Sequence, residues 1–270
     1  MVKKIVNVVV AVIFVVGVGL LVYPSFSNWW NQQHRSEAIA SYEKKVASLS
    51  DKEYKHLWQD AKKYNADHHV NTFSLDHEEE KQYKKVLDIT HTGIMGYVEI
   101  PKINVALPIY HGDEQSILQI AIGHIPGTSL PVGGKGTHCV LSGHRGLPSA
   151  RLFTDIDQLK KGDVFMLQVM DNTLTYQVDQ ISTVLPQDTS KMQIDPQQDY
   201  CTLVTCTPYG VNTHRLLVRG HRIPNRSVRV APDLTAADPV IWDIIWGVIA
   251  FVFLLLGIHQ LKKNRGHQKN

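Results

Sequence analysis

At 270 residues the chain can hold one large or two small domains, and its 43% hydrophobic content is inflated by its two ends. A formal charge of +3, carried largely by basic tails, is too small to mark a nucleic-acid partner. Three cysteines cannot all pair with one another, so at least one thiol stays free or bonds between molecules.

Ile5 to Tyr23 is apolar apart from Asn7 and Tyr23, and Lys3 and Lys4 precede it. At about 1.5 Å per residue this stretch crosses a hydrocarbon layer of about 30 Å. No A-x-A-like cleavage site follows, so residues 1–23 read as a retained anchor rather than a removed signal. A second apolar run, Val240 to Leu261, contains Asp243 near its start and is followed by Lys262, Lys263 and Arg265. The bias of Lys and Arg toward the cytoplasm puts both tails inside and everything from about Pro24 to Pro239 outside the lipid bilayer.

After the first span, Trp29, Trp30, Ala38, Ile39, Tyr42, Val46 and Leu49 form a helical stripe. Ser50-Asp51-Lys52-Glu53 reads as a capping box opening a second helix, continued by Tyr54, Leu57, Trp58, Ala61 and Tyr64. Residues 24–94 are thus expected to form a helical arm. Its last part, Asp67 to Asp88, is polar and acidic, with one apolar pair, Phe73 and Leu75, and a short helical run from Glu78 to Leu87. Taken alone, it reads as a solvated loop.

From Met95 the pattern changes to period two. Strands are expected at 97–100, 105–109, 137–142, 164–169, 174–185, 201–205 and 216–219, with a shorter one near 120–124 and prolines punctuating their ends. Seven or eight short strands argue for a closed β-barrel, because closure removes exposed edges. Arg151 to Lys160 is expected to form a short helix between strands. The β-domain spans 95–224, followed by a linker at 225–239, the second span at 240–261 and a basic tail at 262–270.

Cys139 and Cys201 lie within apolar strand segments and read as small core residues. Cys206 differs, because its strand stops there at Thr207-Pro208-Tyr209-Gly210. A following strand brings in Arg215, and upstream another strand ends at Ser142-Gly143 and exposes His144 in the loop. A thiolate at Cys206 could attack an amide carbonyl, an imidazole at His144 could protonate the leaving amine, and a guanidinium at Arg215 could hold the oxyanion. Each has a plainer reading: His144 is one of 14 histidines, and Arg215 alone can be a solvated cation. Residue patterns by themselves stop at a membrane-tethered external β-domain with a cysteine site. A non-catalytic tethered barrel that binds surface polypeptides fits them as well.

Thr202-Leu203-Val204-Thr205-Cys206 matches the T-L-x-T-C signature of the sortases, the transpeptidases of Gram-positive cell surfaces. Arg215 falls nine residues after Cys206, as the arginine of that family does, and Leu141-Ser142-Gly143-His144 is similar to the segment bearing its histidine. The resemblance covers about Met95 to Pro224 and implies an eight-stranded sortase barrel. It implies Cys206 as nucleophile, His144 as general acid/base, Arg215 as substrate or oxyanion stabiliser and Thr205 in a supporting role. Gly96-Tyr97-Val98-Glu99-Ile100-Pro101, Gly143-His144-Arg145-Gly146-Leu147-Pro148 and Thr207-Pro208-Tyr209-Gly210-Val211-Asn212-Thr213-His214-Arg215 resemble class C, the pilus-assembling sortases, as does the C-terminal apolar run. Such enzymes cleave an L-P-x-T-G-like sorting signal and pass the acyl group to a lysine of another pilin subunit. The alternative within the family is attachment of surface proteins to peptidoglycan.

Class C sortases carry an Asp-Pro-aromatic lid, and the corresponding stretch here is Asn71-Thr72-Phe73-Ser74. The expectation is a lid placing Phe73 over Cys206, with Asp67 or Asp76 replacing the missing charge. No cofactor and no metal is expected, since Asp188, Asp195 and Asp199 are too scattered for a hard cation.

Overall fold

The alternating runs between Ile94 and Ile223 fold into eight strands in the computed structural model, which describes residues 2–225. These are β1 Ile94–Ile100, β2 Val105–His111, β3 Ile122–His124, β4 Thr137–Ser142, β5 Val164–Val169, β6 Asn172–Val184, β7 Asp199–Thr207 and β8 His214–Ile223. Their order is β1-β2-β3-β4-β7-β8-β6-β5, and β5 pairs with β1 to close the barrel. Four of the expected strands, 97–100, 105–109, 201–205 and 216–219, are extended, the run at 174–185 starts two residues earlier and ends one earlier, the short one near 120–124 shrinks to Ile122–His124, and 137–142 and 164–169 fall where the pattern puts them. Two contacts are parallel, β2 with β3 and β4 with β7. The second matters most, because a parallel pair brings the two C-terminal strand ends to the same rim.

The helices are α1 Val2–Ala47, α2 Asp51–Asp67, α3 His77–Tyr83 and α4 Gln115–Leu118. No helix break separates the apolar stretch from the arm, since α1 runs on through Pro24. Part of it, Val12–Ala47, is long and apolar enough to cross a membrane by length and composition. Residues up to Trp30 belong to one compact unit and those from Asn31 to another. The second apolar run at 240–261, with its flanking linker and tail, lies outside the described residues.

The expected capping box at Ser50 and Glu53 is formed. The arm belongs to the barrel's core: Tyr42, Ala61, Tyr64 and Tyr83 are buried in the same apolar cluster as Val98, Leu141, Phe165 and Leu203. Tyr42 fixes the contact, its hydroxyl donating to the Met95 carbonyl at 2.9 Å and accepting from the Met170 amide at 2.8 Å. Asn65 does the same for α2, bonding both the carbonyl and the amide of Leu130 at 3.0 and 2.7 Å.

Two local expectations change. Arg151 to Lys160 holds only a 3-10 turn at Ile156–Gln158, after turns tied by Thr154 N to Arg151 O. The segment after α2 is not a solvated loop throughout, because Asn71 is buried at 3% exposure. A second apolar cluster, separate from the core, explains why: Val140, Val184, Met192, Val204 and Leu217, with Phe73 and Ile125 packed against it. Strand β7 carries Leu203 and Val204 in succession, and successive strand residues face opposite sides. Leu203 faces the core and Val204 the second cluster, so the segment carrying Phe73 and the β6–β7 connection cover the barrel wall there.

Candidate active site

Cys206 and Arg215 are direct partners across the antiparallel β7–β8 ladder, so their side chains share one face. That face also holds Val204 and Leu217, themselves partners two residues further along. Val184 at the end of β6 is paired with Arg215 on the other side. Cys206 is half-buried, unlike the fully enclosed Cys139 and Cys201, and all three thiols are free. The register places Cys139 opposite Cys201, and burial raises the Cys201 thiol well above its ordinary range.

His144 reaches the same rim through the parallel pair. Ser142 on β4 is opposite Val204 on β7, so two residues further each strand arrives at His144 and at Cys206. The Gly143 amide donates to the Val204 carbonyl at 3.0 Å, and the Thr205 hydroxyl donates to the Gly143 carbonyl at 2.7 Å. These bonds extend the pairing past the strand end and give buried Thr205 its place: it ties the turn before His144 to the strand before Cys206. Gly143 is required by close approach, because a Cβ there would sit 2.6 Å from the Phe153 ring. The His144 Nε2 lies 3.3 Å from the Gln115 Oε1 at the start of α4. Partial burial pushes the His144 imidazole below its ordinary value, since desolvation disfavours the charged ring.

The Arg215 guanidinium donates to the carbonyls of Asn212 and His214 at 3.3 and 3.2 Å. Both are its own loop's carbonyls, which hold the fork at the strand mouth. Neither acid expected to replace the lid charge is committed to it: Asp67 pairs with Lys63, and Asp76 caps α3. Asn71 instead donates both amide protons away from the arginine, to the carbonyls of His138 at 2.9 Å and Met192 at 2.8 Å. One side chain thereby bridges strand β4 and the β6–β7 connection. Phe73 follows with a left-handed backbone, φ +58°, and packs on the Val140, Val184, Met192, Val204 and Leu217 floor. It sits over the apolar ground beside Cys206, and Cys206 stays part-exposed.

His138, at the far end of this floor, bonds the Gln193 carbonyl at 2.9 Å and the Thr202 hydroxyl at 2.7 Å. Burial lowers its pKa to about 4. The acids of the β6–β7 connection serve their own turns: Asp188 accepts from the Ser190 amide, and Asp195 from the Gln197 amide. Asp199 accepts from the Gly134 amide and the Tyr176 hydroxyl. Pattern reading assigned no role to Asn71 or Arg145, although both stand in stretches it quoted, and it passed over Gln115 and Asp157, which stand in no periodic or spaced motif.

The closed eight-stranded barrel is the fold that the sequence resemblance implied. The sortase domain family model matches residues 98–223. The sortase C1 structure from Streptococcus agalactiae is 52% identical, covers 70% of this chain and 100% of that one, and superposes with a TM-score of 0.69. The chain belongs to the sortase family of cysteine transpeptidases. Its close structural neighbours are class C sortases, among them Clostridium perfringens sortase C solved with the C-terminal cell wall sorting motif, 44% identical over 70% of this chain and 100% of that one, TM-score 0.62. Sortase D of Bacillus subtilis is 31% identical over 131 residues, 47% of this chain and 63% of that one.

Proposed function

We propose that the protein is a pilus-assembling transpeptidase in which Cys206, His144 and Arg215 do the chemistry. The observation that supports this is the register: Cys206 pairs directly with Arg215, and His144 follows two residues after Ser142, which pairs with Val204 two residues before Cys206. The Cys206 thiolate attacks the Thr carbonyl of an L-P-x-T-G-like signal, and the negative charge that develops on the carbonyl oxygen falls to the Arg215 guanidinium. The His144 imidazolium gives its proton to the glycine nitrogen as the C–N bond breaks, leaving an acyl thioester on Cys206. The amine of a pilin lysine then attacks the thioester, neutral His144 takes its proton, and an isopeptide bond forms as the thiolate leaves.

The apolar floor of Val140, Val184, Val204 and Leu217 runs up to Cys206 and offers a bed for the apolar part of a sorting signal. Phe73 occupies that bed in the closed form and acts as a lid. Anchoring by the apolar part of α1, with the barrel outside the membrane, keeps the site near substrates that are themselves membrane-bound. Incubating the enzyme with a sorting-signal peptide and a purified pilin, then sequencing the product by tandem mass spectrometry, tests this reading. A Thr-to-Lys isopeptide is expected; transfer only to a cell-wall peptide amine would replace pilus assembly by peptidoglycan anchoring.

A further inference from the structure

Arg145 directly follows His144 and points back into the protein, its side chain only 11% exposed. Its guanidinium pairs with Asp157 on the 3-10 turn Ile156–Gln158. The other terminal nitrogen lies 3.5 Å from the Thr207 hydroxyl, on the residue after Cys206, and the guanidinium carbon is 5.8 Å from the centre of the Tyr209 ring. The same ring closes over Gly146, where a Cβ would sit 2.9 Å from it and where φ is +77°. One cation thus joins three pieces: the loop after β4 that carries His144, the loop after β7 that follows Cys206, and the turn before β5.

Stability alone does not call for this arrangement. The Nε of Arg145 is buried with no hydrogen-bond partner among the described residues, and a half-satisfied buried guanidinium is a poor substitute for an apolar side chain. What it does supply is geometry. A carboxylate fixes the planar fork on one side, and the ring and hydroxyl receive it on the other, so the two loops cannot drift apart independently.

Resting on the site reading proposed above, we infer that Arg145 is a positioning residue that sets the distance between the His144 imidazole and the scissile bond held at Cys206. It acts on proton delivery to the leaving amine rather than on the thiolate. The chemistry separates these roles. An amide nitrogen must be protonated to leave, whereas the phenolate of an activated ester departs without a proton, so only the amide reaction needs the imidazolium in place.

The test compares Arg145→Met with wild type on two substrates, a sorting-signal peptide cleaved at its Thr–Gly amide and the same peptide activated as an aryl ester at Thr. The expected result is a fall in amide kcat of about tenfold to a hundredfold, the range for a displaced general acid, with KM nearly unchanged and ester turnover retained. Asp157→Asn should lower the amide rate in the same direction, and the double variant should be no slower than Arg145→Met, because both break one linkage. Equal losses on amide and ester would show a general structural effect and overturn the inference, as would an Arg145→Met enzyme with wild-type amide turnover. If Arg145→Met does not fold, Asp157→Asn carries the same two-substrate comparison. Cys206→Ala is run alongside: turnover surviving in that variant would sink the site reading itself, an outcome distinct from the failure of Arg145.

Discussion

Replacing Asn71 by Ala removes the two hydrogen bonds that fasten the proposed lid, those to the His138 and Met192 carbonyls. At a net 0.5–1.5 kcal/mol per buried bond, the latch contributes about 1–3 kcal/mol, or roughly 5- to 150-fold in the ratio of open to closed lid. Two features make the closed form easy to leave. The Asn71 Oδ1 is already buried without a partner among the described residues, and Phe73 holds a left-handed backbone that disfavours bulky side chains by about 1–2 kcal/mol. On the proposed reading, in which the sorting signal binds the floor that Phe73 covers, kcat/KM for a peptide substrate scales with the open fraction and should rise by at least about fivefold in Asn71→Ala. A small alkylating reagent asks a different question. Cys206 is part-exposed with Phe73 in place, so its labelling rate should change by less than about twofold. Peptide turnover equal to wild type would refute the latch, and labelling that rises in step with turnover would show the lid seated on the sulfur rather than on the groove floor.

Phe73→Ala should raise peptide kcat/KM in the same sense as Asn71→Ala, and the double variant should add little, since both empty the same groove. The fold should weaken in acid through His138: its folded pKa near 4 lies below the ordinary 6.5, so the unfolded chain binds the extra proton between those values. Stability from this group is complete above about pH 6.5 and lost as the pH falls toward 4, by at most about 3 kcal/mol. Melting temperatures across that range should fall less steeply in His138→Asn, and parallel curves would exclude His138 as the source. Gln115→Glu places a carboxylate beside the His144 Nε2, opposing the desolvation that lowers its pKa. The limb of the kcat/KM profile that reports the imidazole should move to higher pH, and an unmoved limb would show that Gln115 does not orient His144.

The barrel was legible because alternation and prolines mark strand ends locally, and all eight strands fall on runs that those signals pick out. Cys206, His144 and Arg215 were picked out for a related reason, each lying at or near a strand end where a motif could be matched. The pairing that brings them together was not, since no local pattern says that β4 lies parallel to β7. The lid segment misled in the opposite way. Asn71 and Thr72 look solvated beside acidic neighbours, yet Asn71 is buried by contacts with residues 67 and 121 positions away. Arg145 is in plain view beside His144, but its meaning depends on Asp157, Thr207 and Tyr209, which only the folded chain assembles. The helix expected at Arg151 to Lys160 does not form for a similar reason: its residues answer to Phe153 and Ile156 buried in the core, and one 3-10 turn satisfies them.

The most direct test of the central claim is to quench the enzyme in acid during turnover of a sorting-signal peptide and map the acyl group by peptide mass spectrometry. The account predicts the Thr-terminated acyl fragment on Cys206, at lower occupancy in Arg215→Ala and absent in Cys206→Ala. An acyl fragment on any other residue, or undiminished turnover by Cys206→Ala, would contradict it.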